Sequence, residues 1–212
     1  MSLAPDTYTT LVGVSRYEPD KIKGSRFIAC VAPATTEQAA GDFLDEVRAE
    51  FDDARHVCYA WSLGAAGDRT RSSDDGEPSG SAGRPILMQI EGHEITDAVI
   101  AVVRYFGGVK LGVGGLMRAY GGAAGQALDR AELRRVEVRT ELRCTHPYGD
   151  SGAVQSVLSA WDLTASDGSY GADVAFTVHV GIRRVDEFED TLRDATAARV
   201  RIVRKGAEDA PA

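Results

Sequence analysis

The sequence predicts an α+β protein in two domains, and three stretches carry that prediction. "AVIAVVRYF" (98–106) opens on an apolar run that breaks only at Arg104, the pattern of a strand covered on both faces. Ala40, Phe43, Leu44, Val47 and Phe51 recur at helical spacing. Val174, Phe176, Val178, Val180 and Ile182 alternate strictly, as a strand with one buried face requires. The first two stretches fall in a domain over 1–135 and the third in a smaller one over 136–206, with the tail 207–212 expected to be disordered.

In chain order, 8–15 and 25–31 are rich in Thr, Val, Tyr and Ile, and "EPDKIKG" between them has turn composition, so a hairpin is expected. The helix over the Ala40–Phe51 stripe is expected to open with a capping box of Thr35 and Gln38. Residues 56–63 read as a strand. Residues 64–85 hold almost no large apolar side chain and read as one long loop, followed by a short helix around 86–90. After the strand at 98–106 comes a glycine-rich turn. Leu116, Tyr120, Ala123, Ala127 and Leu128 then mark a helix, and Gly121, Gly122 and Gly125 are expected to let it lie close on the sheet. The second domain reads as strand 136–145, helix 151–161, strands 163–169 and 174–182, a helix on Val185, Phe188 and Leu192, and a last strand "RVRIV". That β-α-β-β-α-β order is ferredoxin-like.

The net charge of −8 divides as −4 through residue 139 (16 basic, 20 acidic) and −4 after it (8 basic, 12 acidic). Neither half is a basic module, so DNA coating is excluded and any RNA contact must be local. Cys30, Cys58 and Cys144 form no C-x-x-C pair and suggest neither disulfide framework nor zinc site. No stretch has the length of a membrane span, no secretory signal is visible, and a cytoplasmic protein is expected.

Seven of the 23 glycines fall within 104–122. A P-loop would need Lys and Ser/Thr where Val113 and Gly114 stand, and a dinucleotide fingerprint would need glycine where Met117 stands. Both motifs fail. What survives is a strand, a glycine-rich turn and a helix N-terminus, whose free amides attract anions. Gly107, Gly108, Gly112, Gly114 and Gly115 are the expected cradle, and Arg104, Lys110 and Arg118, with Lys23 and Arg26, its cationic surround. Between Arg71 and Arg84 lies an acidic loop with Ser73, Asp74, Asp75, Glu77 and Ser79, readable as a solvated turn or as a divalent-metal site. His56 and Cys58 share a strand face, as a packing pair or as a base and nucleophile.

"KGSRFIA" (23–29), "HVCYAW" (56–61), "RSSDDGEPSGSAGRPIL" (71–87) and "VVRYFGGVKLGVGGLMRAYGGA" (102–123), in this order and at these intervals, resemble the YigZ/IMPACT family. The resemblance covers residues 8 to about 130, and more loosely the rest. It implies a first domain similar to the second domain of a small-subunit ribosomal protein and to domain IV of elongation factor G, followed by a ferredoxin-like domain. It further implies contact with the translation machinery or RNA, and it assigns no catalytic residue.

Two functions are therefore expected, one ahead of the other. The first is a non-enzymatic binder of RNA, the ribosome or an acidic partner, using Lys23, Arg26, Arg71, Arg84, Arg104, Lys110 and Arg118, with no resident cofactor or metal. The second is an enzyme on a small anionic or phosphorylated substrate, with the acidic loop as its reactive group. A third, blander possibility leaves both loops purely structural.

Overall fold

The protein, described over residues 5–205 in a computed structural model, divides between Val136 and Glu137 into two units. The first contains β1 (Thr7–Leu11), β2 (Ser15–Tyr17), β3 (Arg26–Pro33), α1 (Glu37–Glu50), β4 (His56–Leu63), β5 (Arg69–Ser73), α2 (Gly83–Gly92), β6 (Ala98–Tyr105), α3 (Val113–Leu128) and β7 (Leu133–Glu137). Five of these strands form an antiparallel sheet in the order β2-β3-β6-β4-β5. The central strand is β6, as its continuous apolar run requires. Val99, Ala101 and Val103 pack against Phe43, Leu44 and Val47 of α1, while Ile100 and Val102 face Ile86, Leu116 and Tyr120 of α2 and α3. The unit is thus a sheet with helices on both faces, an α+β arrangement.

Several local expectations are corrected. Strand 8–15 breaks at residues 12–14: β1 joins β7 in a separate two-stranded sheet, and only β2 pairs with β3. The cap of α1 is Thr36, whose side chain accepts from the Ala39 N–H at 3.1 Å. The stretch 64–85 is no continuous loop, since β5 and the start of α2 lie in it. The close approaches at Gly121 and Gly125 of α3 are to α2 and not to the sheet. A Cβ on Gly125 would stand 2.5 Å from Gln89 Oε1, and one on Gly121 would touch Pro85. Gly122 faces open space.

Gly107 has a different task from the expected one. A Cβ there would lie 1.9 Å from the Gly24 carbonyl carbon and 2.2 Å from the Ser25 nitrogen, and the Gly107 N–H donates to Ser25 Oγ at 3.1 Å. It locks the turn after β6 onto the hairpin turn.

The second unit has β8 (Arg139–His146), α4 (Ser151–Ala160), β9 (Ser166–Tyr170), β10 (Val174–Gly181), α5 (Val185–Ala195) and β11 (Arg201–Arg204). Its sheet order β11-β8-β10-β9 is the ferredoxin-like order, and the alternating residues of β10 pack on Val154, Leu158, Phe188 and Leu192. The expected tail falls outside the described residues.

Replacing Gly107 with alanine is expected to destabilise the protein by roughly 3 kcal/mol, because neither backbone can yield. Gly122→Ala, in open space on a helix, is expected to stabilise by about 0.5–1 kcal/mol. Urea unfolding of the two variants checks both signs.

Candidate functional site

The alternation that places Ala98, Ile100 and Val102 in the α2/α3 core places Arg104 next on the same face. The register sets His56 of β4 beside it and Phe27 of β3 on its other side. Arg104 is 7% exposed, and its guanidinium lies 5.7 Å from the Phe27 ring and 5.5 Å from that of Phe106. A cation so enclosed needs a partner. Glu77 supplies it: Arg104 Nη1 donates to Glu77 Oε1 at 2.6 Å, and the Tyr120 hydroxyl donates to the same oxygen at 2.8 Å.

The segment carrying Glu77 is held by its own acids. Asp74 accepts from Gly80 N–H at 2.7 Å, Ala82 N–H at 2.8 Å and Gly83 N–H at 2.9 Å, which satisfies the start of α2. Burial pushes its carboxyl up, but the three donors outweigh burial and hold it below the ordinary range. Asp75 Oδ2 accepts from the Val57 N–H at 2.7 Å, continuing the β4 ladder where β5 has ended. His56 Nδ1 lies 2.8 Å from the Asp75 carbonyl oxygen, and so carries its hydrogen toward it.

These contacts overturn the metal reading of the acidic loop. Asp74, Asp75 and Glu77 each accept from protein donors, and among the described residues no three His, Cys, Asp or Glu are placed to hold a metal ion. The base–nucleophile reading fails too. Cys58 is fully buried, its S–H donates to the Asp74 carbonyl at 3.0 Å, and burial pushes the thiol up to about 12.

Beside Arg104 opens a cavity of about 810 Å³ that wraps round the end of β4 and β6. Glu77 and Pro78 line it together with Lys110, Gly112 and Val113, so the two glycine- and charge-rich segments meet there. Gly112, at φ +73°, turns the chain into α3 without a side-chain cap, and the first closed bond of the helix is Leu116 N–H to the Gly112 carbonyl. The amides of Val113, Gly114 and Gly115 precede that bond.

Other expected residues lie elsewhere. Arg26 is engaged by Glu18 through two bonds of 2.8 and 3.0 Å, and Arg84 pairs with Glu91 at 4.0 Å. Arg71 sits on the edge strand opposite Trp61. Lys23 is exposed in the hairpin turn, and Arg118 lines a smaller cavity with Tyr17 and Gln126. Ser73 Oγ accepts from the Asp75 N–H, Ser79 is exposed, and Gly108 is exposed at φ +88°. Conversely, Asp53, Arg55 and Phe106 line the main cavity although the sequence did not single them out. Phe106 is two residues from Arg104 in the chain, whereas the pairing of His56 with Arg104 brings Asp53 and Arg55 there.

Comparison with known proteins gives a consistent result. Residues 23–128 match the Impact N-terminal domain, and 144–199 match a domain of unknown function (DUF1949). The chain is 40% identical over 177 residues to the IMPACT family member YigZ of Escherichia coli, covering 82% of this chain and 87% of that protein. It is 42% identical over 159 residues to an IMPACT family member of Thermus thermophilus, covering 75% and 86%. A crystal structure titled as a hypothetical protein superimposes with a TM-score of 0.78 at 34% identity, over 96% of this chain and 99% of that one. No helix among the described residues is long and apolar enough to cross a membrane.

Asp74→Ala is expected to destabilise by about 2 kcal/mol, the order of a lost charged cap. Because the folded carboxyl titrates below its ordinary value, its contribution is present above the unfolded value near ~3.9 and fades as pH falls through the folded one. The gap between wild type and Asp74→Asn in urea unfolding should therefore be full at pH 6 and narrow below pH ~4.

Proposed function

The chain belongs to the IMPACT family, and from that premise and the chemistry of the cavity we propose that it binds single-stranded RNA of the translation machinery without catalysing a reaction on it. The observation that carries this reading is Arg104, a buried cation with one described hydrogen bond, to Glu77, at the floor of an open cavity. Guanidinium is suited to phosphate because its donors form a planar fork. Around it stand the amides that open α3, the exposed Lys110 and Arg55, and Phe106, which is 56% exposed and offers a face for a base. Basic groups that meet the backbone beside an aromatic platform are what strand binding without strong sequence preference uses. The acidic remainder of the surface confines the strand to this site.

The cavity volume supports a second reading, the enzyme on a small phosphorylated substrate. Glu77 would be its reactive carboxylate, but its engagement by Arg104 and Tyr120 leaves the binding reading ahead.

Fluorescence anisotropy with a labelled oligouridine across a salt series tests the proposal. The logarithm of affinity should fall linearly with the logarithm of salt, and Lys110→Ala and Arg55→Ala should each flatten the slope by about 0.7. A binding constant indifferent to salt, or no binding, overturns it; conversion of a phosphorylated compound under the same conditions would favour the second reading.

A further inference from the structure

The cavity offers more donors than the interior of an RNA strand can use. An arginine has five N–H donors; Arg104 gives one to Glu77, and its Nε is buried without a partner. Lys110, with Gly112 and Val113 at the uncapped start of α3, lines the same space. A phosphodiester inside a strand presents two free oxygens and a single charge. A terminal phosphate monoester presents three oxygens and between −1.5 and −2 charges at neutral pH. Depth points the same way. A phosphate must enter the cavity to meet a guanidinium 7% exposed, and a chain end enters where a phosphate tethered on both sides must bring two sugars with it.

The far side of the cavity has the opposite character. Asp53 lines it on the α1 side of the sheet, accepting from the Tyr105 hydroxyl at 2.6 Å. A carboxylate there repels a second phosphate and accepts from hydroxyl or amino groups, such as those of a ribose or a base. His56 adds its Nε2 ring nitrogen, since its Nδ1 is turned to the Asp75 carbonyl. Phe106 supplies a stacking face. One anionic end, one donor-bearing middle and one flat ring describe a nucleotide, and about 810 Å³ lies within the ~300–1,000 Å³ of small-ligand sites.

We infer that the cavity holds a single phosphorylated ribonucleotide, either the phosphate-bearing end of an RNA strand or the same nucleotide free in solution. Its phosphate sits on Arg104, Lys110 and the α3 amides, and its base on Phe106. The inference rests on the RNA reading for its first source and is independent of it for the second.

The full chain is titrated with three labelled uridine pentamers, one ending in hydroxyls, one 5′-phosphorylated and one 3′-phosphorylated, and with AMP and inorganic phosphate as competitors. One phosphorylated end is expected to bind about tenfold or more tighter than the hydroxyl form, and AMP is expected to displace it better than phosphate alone. Lys110→Ala, at an exposed position, should abolish that preference even if Arg104→Lys fails to fold, and Phe106→Ala, also exposed, should weaken AMP and every pentamer alike. Equal, salt-sensitive affinity for all three pentamers overturns the inference and leaves the RNA reading standing. Binding of AMP with no pentamer bound upholds the nucleotide site and overturns the RNA reading; no binding of any probe overturns both.

Discussion

The buried pairing of Arg104 with Glu77 organises the first unit. A strand that runs apolar on both faces and then turns a guanidinium into the same interior needs a counter-charge, because an unpaired buried cation costs several kcal/mol. The 74–82 segment brings one, Glu77. Its acids are therefore not solvated, as a charged loop ordinarily is. Asp74 is spent on α2, Asp75 on β4 and Glu77 on Arg104 and Tyr120. A replacement of the Arg104–Glu77 pair by apolar groups could be as stable, yet it would leave the cavity floor without a donor. The pair is better understood as the cost of presenting a fixed cation than as a source of stability.

The same economy explains why the cavity lies at this corner. On the α3 side the helix begins without a side-chain cap, so its amides stay available. On the α1 side Tyr105 and Asp53 close the end of the sheet through their hydrogen bond. Gly107, held against Gly24, fixes the start of the path between β6 and α3. Arg104 and His56 are thus positioned by strands, and Glu77 by a turn that its neighbouring acids pin to β4 and α2.

Much of this architecture was legible from the sequence, and the failures have physical causes. β6, α1 and α3 announce themselves because burial leaves a periodic apolar trace, and the second unit's order follows from the strict alternation of β10. β5 leaves no trace. "RTRSS" is an edge strand whose first four residues are exposed, so neither face demanded an apolar side chain. Thr35 and Thr36 are equally able to cap, and tertiary placement chose the second. Val12 and Val14 look like strand residues yet lie in the break between β1 and β2, since β1 finds its partner at 133–137. At the cavity, Arg104 and Lys110 were visible as cations beside the glycines. Arg55 and Asp53 were not, because strand register and not sequence distance makes them neighbours of Arg104. The glycines divided differently from their motif: Gly107 and Gly125 serve close approach, and Gly112 serves the turn into α3.

One consequence follows from the way the sheet ends beneath the cavity. The final rung on the outer side of β4 is a carboxylate from Asp75 rather than another main chain, and six residues farther on the chain must already be entering the turn that starts α2. Spacing is thus the quantity encoded between Ser73 and Gly83. Exchanging the exposed Ser79 leaves the counter-ion where it belongs, whereas adding or removing one residue would carry Glu77 past the guanidinium and turn a neutral pair into two stranded charges.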